Sequence, residues 1–139
     1  VIIGLTINRF DPLLLKSQGM FGTITNAFIG RLGLWNVSIN TSNSSSTGGL
    51  AGEAYSSRIE RSFVTGKVSG SGSVGGLVGQ TVESYIDQSY ATCAVSGTND
   101  FVGGLVGISY ISSVIVESYA TGQVTQCGQA NPGELGGAR

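Results

Sequence analysis

The chain has 139 residues, enough for one ordinary domain to bury a core. Hydrophobic residues make up 40% and charged residues 11%, against about 25% charged in a typical globular domain; 23 glycines beside two prolines exclude collagen-like and proline-rich disordered chains. The net charge of −1 comes with only seven scattered basic residues, Arg9, Lys16, Arg31, Arg58, Arg61, Lys67 and Arg139, which excludes the concentrated basic surface that nucleic acid needs.

The opening segment, V-I-I-G-L-T-I-N-R-F, is too short an apolar run to span a bilayer or to act as a signal peptide, so no membrane insertion is expected. Residues 1–18 read as a cap or a preceding coil, and 19–47 as a degenerate repeat. That repeat opens with Gly19-Met20-Phe21-Gly22, in which Phe21 lies 29 residues before Leu50. It closes on N-V-S-I-N-T-S-N-S-S-S-T from Asn36 to Thr47, which reads as a polar loop; Asn36, Asn40 and Asn43 fit the N-x-[ST] acceptor pattern.

Three clear repeats follow, at 48–74, 75–102 and 103–132. Each begins with a glycine block: G-G-L-A-G at Gly48, G-G-L-V-G at Gly75 and G-G-L-V-G at Gly103. Leu50, Leu77 and Leu105 are 27 and 28 residues apart. A second block keeps the same order: I-E-R-S-F-V-T-G-K-V from Ile59, I-D-Q-S-Y-A-T-C-A-V from Ile86 and I-V-E-S-Y-A-T-G-Q-V from Ile115. Residues 133–139, G-E-L-G-G-A-R, read as the start of a further repeat, so a larger parent chain is expected.

A period of this size points to a solenoid or a propeller. Helical repeats are disfavoured by the Gly pairs, the β-branched residues and the lack of a long amphipathic run. Short apolar segments separated by Gly, Ser and Asn suit strands and turns, and a propeller blade needs about 40 residues. The expected fold is therefore all-β: a parallel β-solenoid (β-helix) of about four coils, roughly 27–30 residues each, right-handed by the general preference of parallel crossovers. Stacking of equivalent positions predicts three internal ladders. They are Phe21, Leu50, Leu77, Leu105 and Leu135; Ile29, Ile59, Ile86 and Ile115; and Val68, Val95 and Val124.

Phe63, Tyr90 and Tyr119 share one column. Strict alternation from the isoleucines turns them inward, whereas a bend before Ser62, Ser89 and Ser118 turns them outward. The earlier coil favours the bend, because its Leu32 and Leu34 align with Ser62/Val64, Ser89/Ala91 and Ser118/Ala120. An outward column is the candidate ligand or partner face, with simple shielding of the sheet as its alternative.

Catalytic chemistry has little to draw on. There is no histidine, which removes the triads and the commonest metal ligand. G-G-L-V-G lacks the spacing of a phosphate or dinucleotide loop. Glu60 and Asp87 align on successive coils, as paired carboxylates of a polysaccharide-cleaving solenoid would, but Val116 breaks that column. Cys93 and Cys127 lie five positions out of column, roughly 15 Å along a strand, which disfavours a disulfide. No catalytic, cofactor or metal site is expected, and no cofactor.

The two blocks resemble the repeats of the GLUG-motif family, G-G-L-V-G followed by I-x-x-S-Y-A-T-G-x-V. The resemblance is strong from about Gly48 to Val124 and weak at the edges. Gly76, Leu77, Gly79, Ser89, Tyr90, Ala91 and Val95 match it, as do Gly104, Leu105, Gly107, Ser118, Tyr119, Ala120, Gly122 and Val124; Cys93 stands where the family has glycine, which puts that coil's turn in question. The resemblance implies a β-solenoid module of a bacterial secreted or cell-surface protein, such as an adhesin or the non-catalytic region of an immunoglobulin A peptidase. It implies no catalytic residue. The expected function is structural or adhesive and non-enzymatic; the alternatives are an accessory solenoid of an extracellular peptidase or a carbohydrate-binding or -processing solenoid. Expected partners are the rest of a parent chain, a second copy end to end, and a host protein or glycan.

Overall fold

The computed structural model describes residues 1–10, 16–98 and 101–126. The chain begins with β1 (Ile2–Ile3) and β2 (Thr6–Phe10). A first coil follows as β3 (Phe21–Thr25), β4 (Phe28–Gly30) and β5 (Gly33–Ser42). The second coil comprises β6 (Ser46–Gly48), β7 (Ala51–Tyr55), β8 (Arg58–Glu60) and β9 (Phe63–Gly70). The third repeats it as β10 (Ser73–Gly75), β11 (Val78–Val82), β12 (Tyr85–Asp87) and β13 (Tyr90–Gly97). The fourth holds β14 (Val102–Gly103), β15 (Val106–Tyr110), β16 (Val114–Val116), β17 (Tyr119–Thr121) and β18 (Val124–Gln126). No helix occurs among the described residues.

Every strand pairs in parallel with its counterpart in the neighbouring coil, which makes four sheets along the axis. The orders are β6-β10-β14, β3-β7-β11-β15, β4-β8-β12-β16, and a long sheet β5-β9-β13 bordered by β1 and β2 at one end and by β17 and β18 at the other. This is the expected parallel β-solenoid. The ladder runs through the glycine blocks as well: Leu50 N donates to Leu77 O and Leu77 N to Leu105 O, both at 2.9 Å. A Cβ on Gly76 would sit 2.3 Å from Gly104 O and 2.8 Å from the Ala91 side chain, so only glycine lets this turn stack so closely.

The core fills with equivalent residues. Ile59 pairs with Ile86, and Ile39, Val68, Val95 and Val124 are successive rungs of the long sheet. Leu50, Ile59, Leu77, Ile86 and Val68 are wholly buried. The ladders loosen at the ends: Ile29, Leu105 and Val124 are only partly buried, and Ile115, an inward-column residue, is 41% exposed. Leu135 and the rest of 133–139 lie outside the described residues, as do Asp11, Asp100 and Cys127.

Two expectations need correction in the first coil. Phe21 pairs with Ala51, not Leu50, and its ring is exposed. The offset to the second coil is 30 residues throughout β3 and β4, which puts Met20 in the leucine column, where it packs against the core. The segment from Asn36 to Thr47 is also not one polar loop. Residues 36–42 complete β5, with Val37 and Ile39 buried on one face and Ser38, Asn40 and Ser42 exposed on the other. The pattern is amphipathic with period two, and the Asn/Ser composition hides it. Between Leu34 and Val37 the register shifts by a β-bulge, with Asn36 at a φ of 58°.

Each coil bends sharply at both ends of its shortest sheet, in the same way. A residue in the left-handed region comes first: Ser56, Glu83 and Ser112 at one corner, Arg61, Gln88 and Glu117 at the other. A serine follows. Its hydroxyl donates to its own chain two residues back, as Ser89 Oγ does to Asp87 O at 2.9 Å, and accepts from the next coil's backbone, here Ser62 N at 3.1 Å. Ser57, Ser62, Ser84 and Ser118 donate in the same way, to Tyr55 O, Glu60 O, Val82 O and Val116 O. These hydroxyls satisfy backbone groups that the bend removes from the ladder.

Cys93 answers the question raised by its departure from glycine. Gly66 and Gly122 adopt φ values of 124° and 117°, and a Cβ there would strike the preceding coil's backbone. At Cys93 the strand instead runs straight, paired with Gly66, and the side chain enters the core as Val37 does two coils earlier. The turn is lost in one coil and the register is kept.

Candidate functional site

The bend before Ser62 and Ser89 buries those hydroxyls and turns the next side chains away from the core, since Val64 and Ala91 point inward. Phe63, Tyr90 and Tyr119 are therefore brought together on the outside of the long sheet, in strict register. Their rings stack: centroids are 5.1 Å apart in both pairs, with interplanar angles of 6° and 3°. Such pairs contribute about 0.5–1.5 kcal/mol each. Phe63 lies over Gly33, where a Cβ would come within 2.4 Å of the ring. The column thus uses up most of its own faces. What it offers outward is ring edges, the hydroxyls of Tyr90 and Tyr119, and the terminal ring of Tyr119, which is 55% exposed. Thr65, Thr92 and Thr121 run beside it in the same register. Trp35, exposed in the β5 bulge, adds an aromatic that the repeat alignment could not place, because the bulge has no counterpart in later coils.

Glu60 and Asp87 pair in register with Val116 beyond them. Glu60 is held by Arg58 Nε, and the Arg58 guanidinium lies 4.4 Å from the Tyr85 ring centroid. With its carboxylate tied to an arginine and no acid opposite it in the fourth coil, this column lacks the arrangement of a glycosidase pair. Among the described residues no group of three or more His, Cys, Asp or Glu gathers as a metal site would require. Cys93 has a free thiol, which burial pushes up to about 12, so it is protonated and unreactive.

A second polar cluster went unnoticed in the repeats because it occurs only once. Glu53, in register with Thr23 and Gln80, accepts hydrogen bonds from Ser17 Oγ at 2.5 Å, Ser45 Oγ at 3.1 Å and Tyr55 Oη at 2.6 Å. Burial disfavours its charged form, but the hydroxyls outweigh it and hold the carboxyl below its ordinary range. The Tyr55 hydroxyl is raised in turn by donating to it. Lys16, Ser17, Gly22, Thr23, Ser45 and Glu53 line an open recess here.

Neither the curated proteins nor the solved structures gave a match to this chain. A family model does match part of it: residues 40–69, from the second half of β5 through the glycine block to β9, carry the GLUG motif.

Proposed function

We propose that this chain is a non-enzymatic structural module with an adhesive outer strip, belonging to a larger secreted or cell-surface bacterial protein. One observation carries the reading. The repeat-defining residues are spent on the coil itself, the glycines on close stacking, Leu and Ile on the core and Ser on the corners, and the outward repeated feature left over is the aromatic column. Such a strip suits contact with a protein or glycan through ring edges and tyrosine hydroxyls. The partly open last coil, with Ile115 and Tyr119 exposed, suits the addition of another coil, whether from the parent chain or from a second copy.

The test is binding of the 139-residue chain to a glycan array and to immobilised extracellular-matrix proteins, compared with a Tyr90→Ala, Tyr119→Ala variant. Loss of binding with the β signal retained supports the strip. Unchanged binding by the folded variant removes it and leaves a spacer. An H-E-x-x-H segment elsewhere in the parent protein would favour an accessory region of a peptidase instead.

A further inference from the structure

Arg31 and Arg61 occupy one column at the corner after the shortest sheet, where Arg31 N donates to Glu60 O and Arg61 N to Asp87 O, both at 3.0 Å. Both adopt the left-handed backbone, but so do Gln88 and Glu117 in the next two coils, so the corner does not dictate arginine. Further along, the column pairs favourably: Arg61 Nε donates to Gln88 Oε1 at 3.1 Å and Gln88 Nε2 to Glu117 Oε2 at 2.9 Å. Arg31 differs. It has a like charge as its neighbour and no side-chain partner among the described residues. Like charges opposite each other on adjacent strands are destabilising.

The two arginines border a cavity of about 250 Å³ with Phe28, Gly30 and Glu60. Phe28 is 65% exposed, and its ring lies against Gly30, where an added Cβ would come within 2.8 Å of it. One side of the ring covers backbone and the other looks outward. Glu60 is already neutralised by Arg58, so the unanswered charges at the cavity are those of Arg31 and Arg61.

We infer that this cavity binds a sugar ring bearing a carboxylate, with Arg31 and Arg61 holding the carboxylate and Phe28 covering the ring's apolar face. Guanidinium groups match a carboxylate through paired N–H donors, and an aromatic face suits the C–H face of a sugar. The chain's net charge of −1 gives no general attraction for anions, so affinity reports the local pair. The site lies outside the Phe63 column, and the inference does not rest on that column's role.

Calorimetric titration of the intact chain with glucuronate, glucose and acetate tests it. Glucuronate is expected to bind at least tenfold more tightly than either of the others. Arg31→Gln and Phe28→Ala should each lose about tenfold, while Tyr119→Ala keeps full affinity; circular dichroism verifies that each variant is folded. Should a variant unfold, the arginine Nε–H resonances of the unmodified chain still report, and those of Arg31 and Arg61 must shift with glucuronate. Equal binding of acetate would reduce the site to a bare anion contact and overturn the proposal. Equal binding of glucose, an unaltered affinity in folded Arg31→Gln, or no response to glucuronate would overturn it too.

Discussion

Replacing Leu77 with alanine removes the middle of the leucine column, and the structure sets the size of the effect. Leu77 is wholly buried, and its backbone is pinned on both sides by bonds of 2.9 Å, from Leu50 N to Leu77 O and from Leu77 N to Leu105 O. Losing three carbons costs about 2.4 kcal/mol at about 0.8 kcal/mol each. Because the pinned backbone cannot close over the gap, a cavity term adds to this, which places the total at about 3–5 kcal/mol. Leu105→Ala provides the internal comparison: the same residue in the same column, only partly buried at the end of the stack, should cost about 1–2 kcal/mol. Equilibrium urea unfolding followed by circular dichroism measures both. A cost below about 1 kcal/mol for Leu77→Ala, or a larger loss at Leu105 than at Leu77, would refute a stacked core.

Three other outcomes are expected. Ser89→Ala removes the acceptor of Ser62 N and should cost about 1–3 kcal/mol, with faster hydrogen exchange at the Ser62 amide; an unaltered Ser62 protection would exclude the corner role. Glu53 has its carboxyl held below its ordinary value of 4.5 in the fold, so its stabilisation is present above that pH and disappears as pH falls through the lowered value. Urea midpoints measured across that range should fall more steeply for the native chain than for Glu53→Gln, and parallel curves would contradict the hydroxyl cradle. Cys93, buried with its thiol raised to about 12, should resist alkylation at neutral pH until the chain unfolds, as peptide mapping would show; rapid labelling of the folded chain would place it outside the core.

Much of this architecture was readable from the spacing of residues. Ile29, Ile59, Ile86 and Ile115 fell into one column by alignment alone and pair so in the structure. The bend that turns Phe63, Tyr90 and Tyr119 outward was visible in Leu32 and Leu34, because an apolar residue opposite Ser62 and Val64 fits only an interrupted alternation. Phe21 was misplaced because matching the large apolar residue to Leu50 seemed natural, whereas Gly19 and Gly22 align with Gly49 and Gly52 at the 30-residue offset of this coil. The glycines, whose close approaches allow no substitute, were the better guide. Residues 36–42 looked like a loop because their strand alternates small polar groups with Val37 and Ile39.

The features peculiar to one coil were not legible. Glu53 with its hydroxyls and Phe28 with the two arginines each depend on side chains 30 or more residues apart meeting across coils, and no repeat marks them. The serine corners lay between these cases: Ser62, Ser89 and Ser118 stood out as a repeated position, but their bonds to the next coil's backbone follow only once the coils are stacked.

Parallel in-register stacking is the claim on which the rest depends, and interstrand nuclear Overhauser contacts test it most directly. The account predicts backbone contacts at 27- and 29-residue separations, linking Val68 to Val95 and Val95 to Val124, with Ile59 methyl groups against those of Ile86. Contacts running instead in antiparallel order between strands adjacent in the chain, such as Phe63–Gly70 against Val78–Val82, would contradict it.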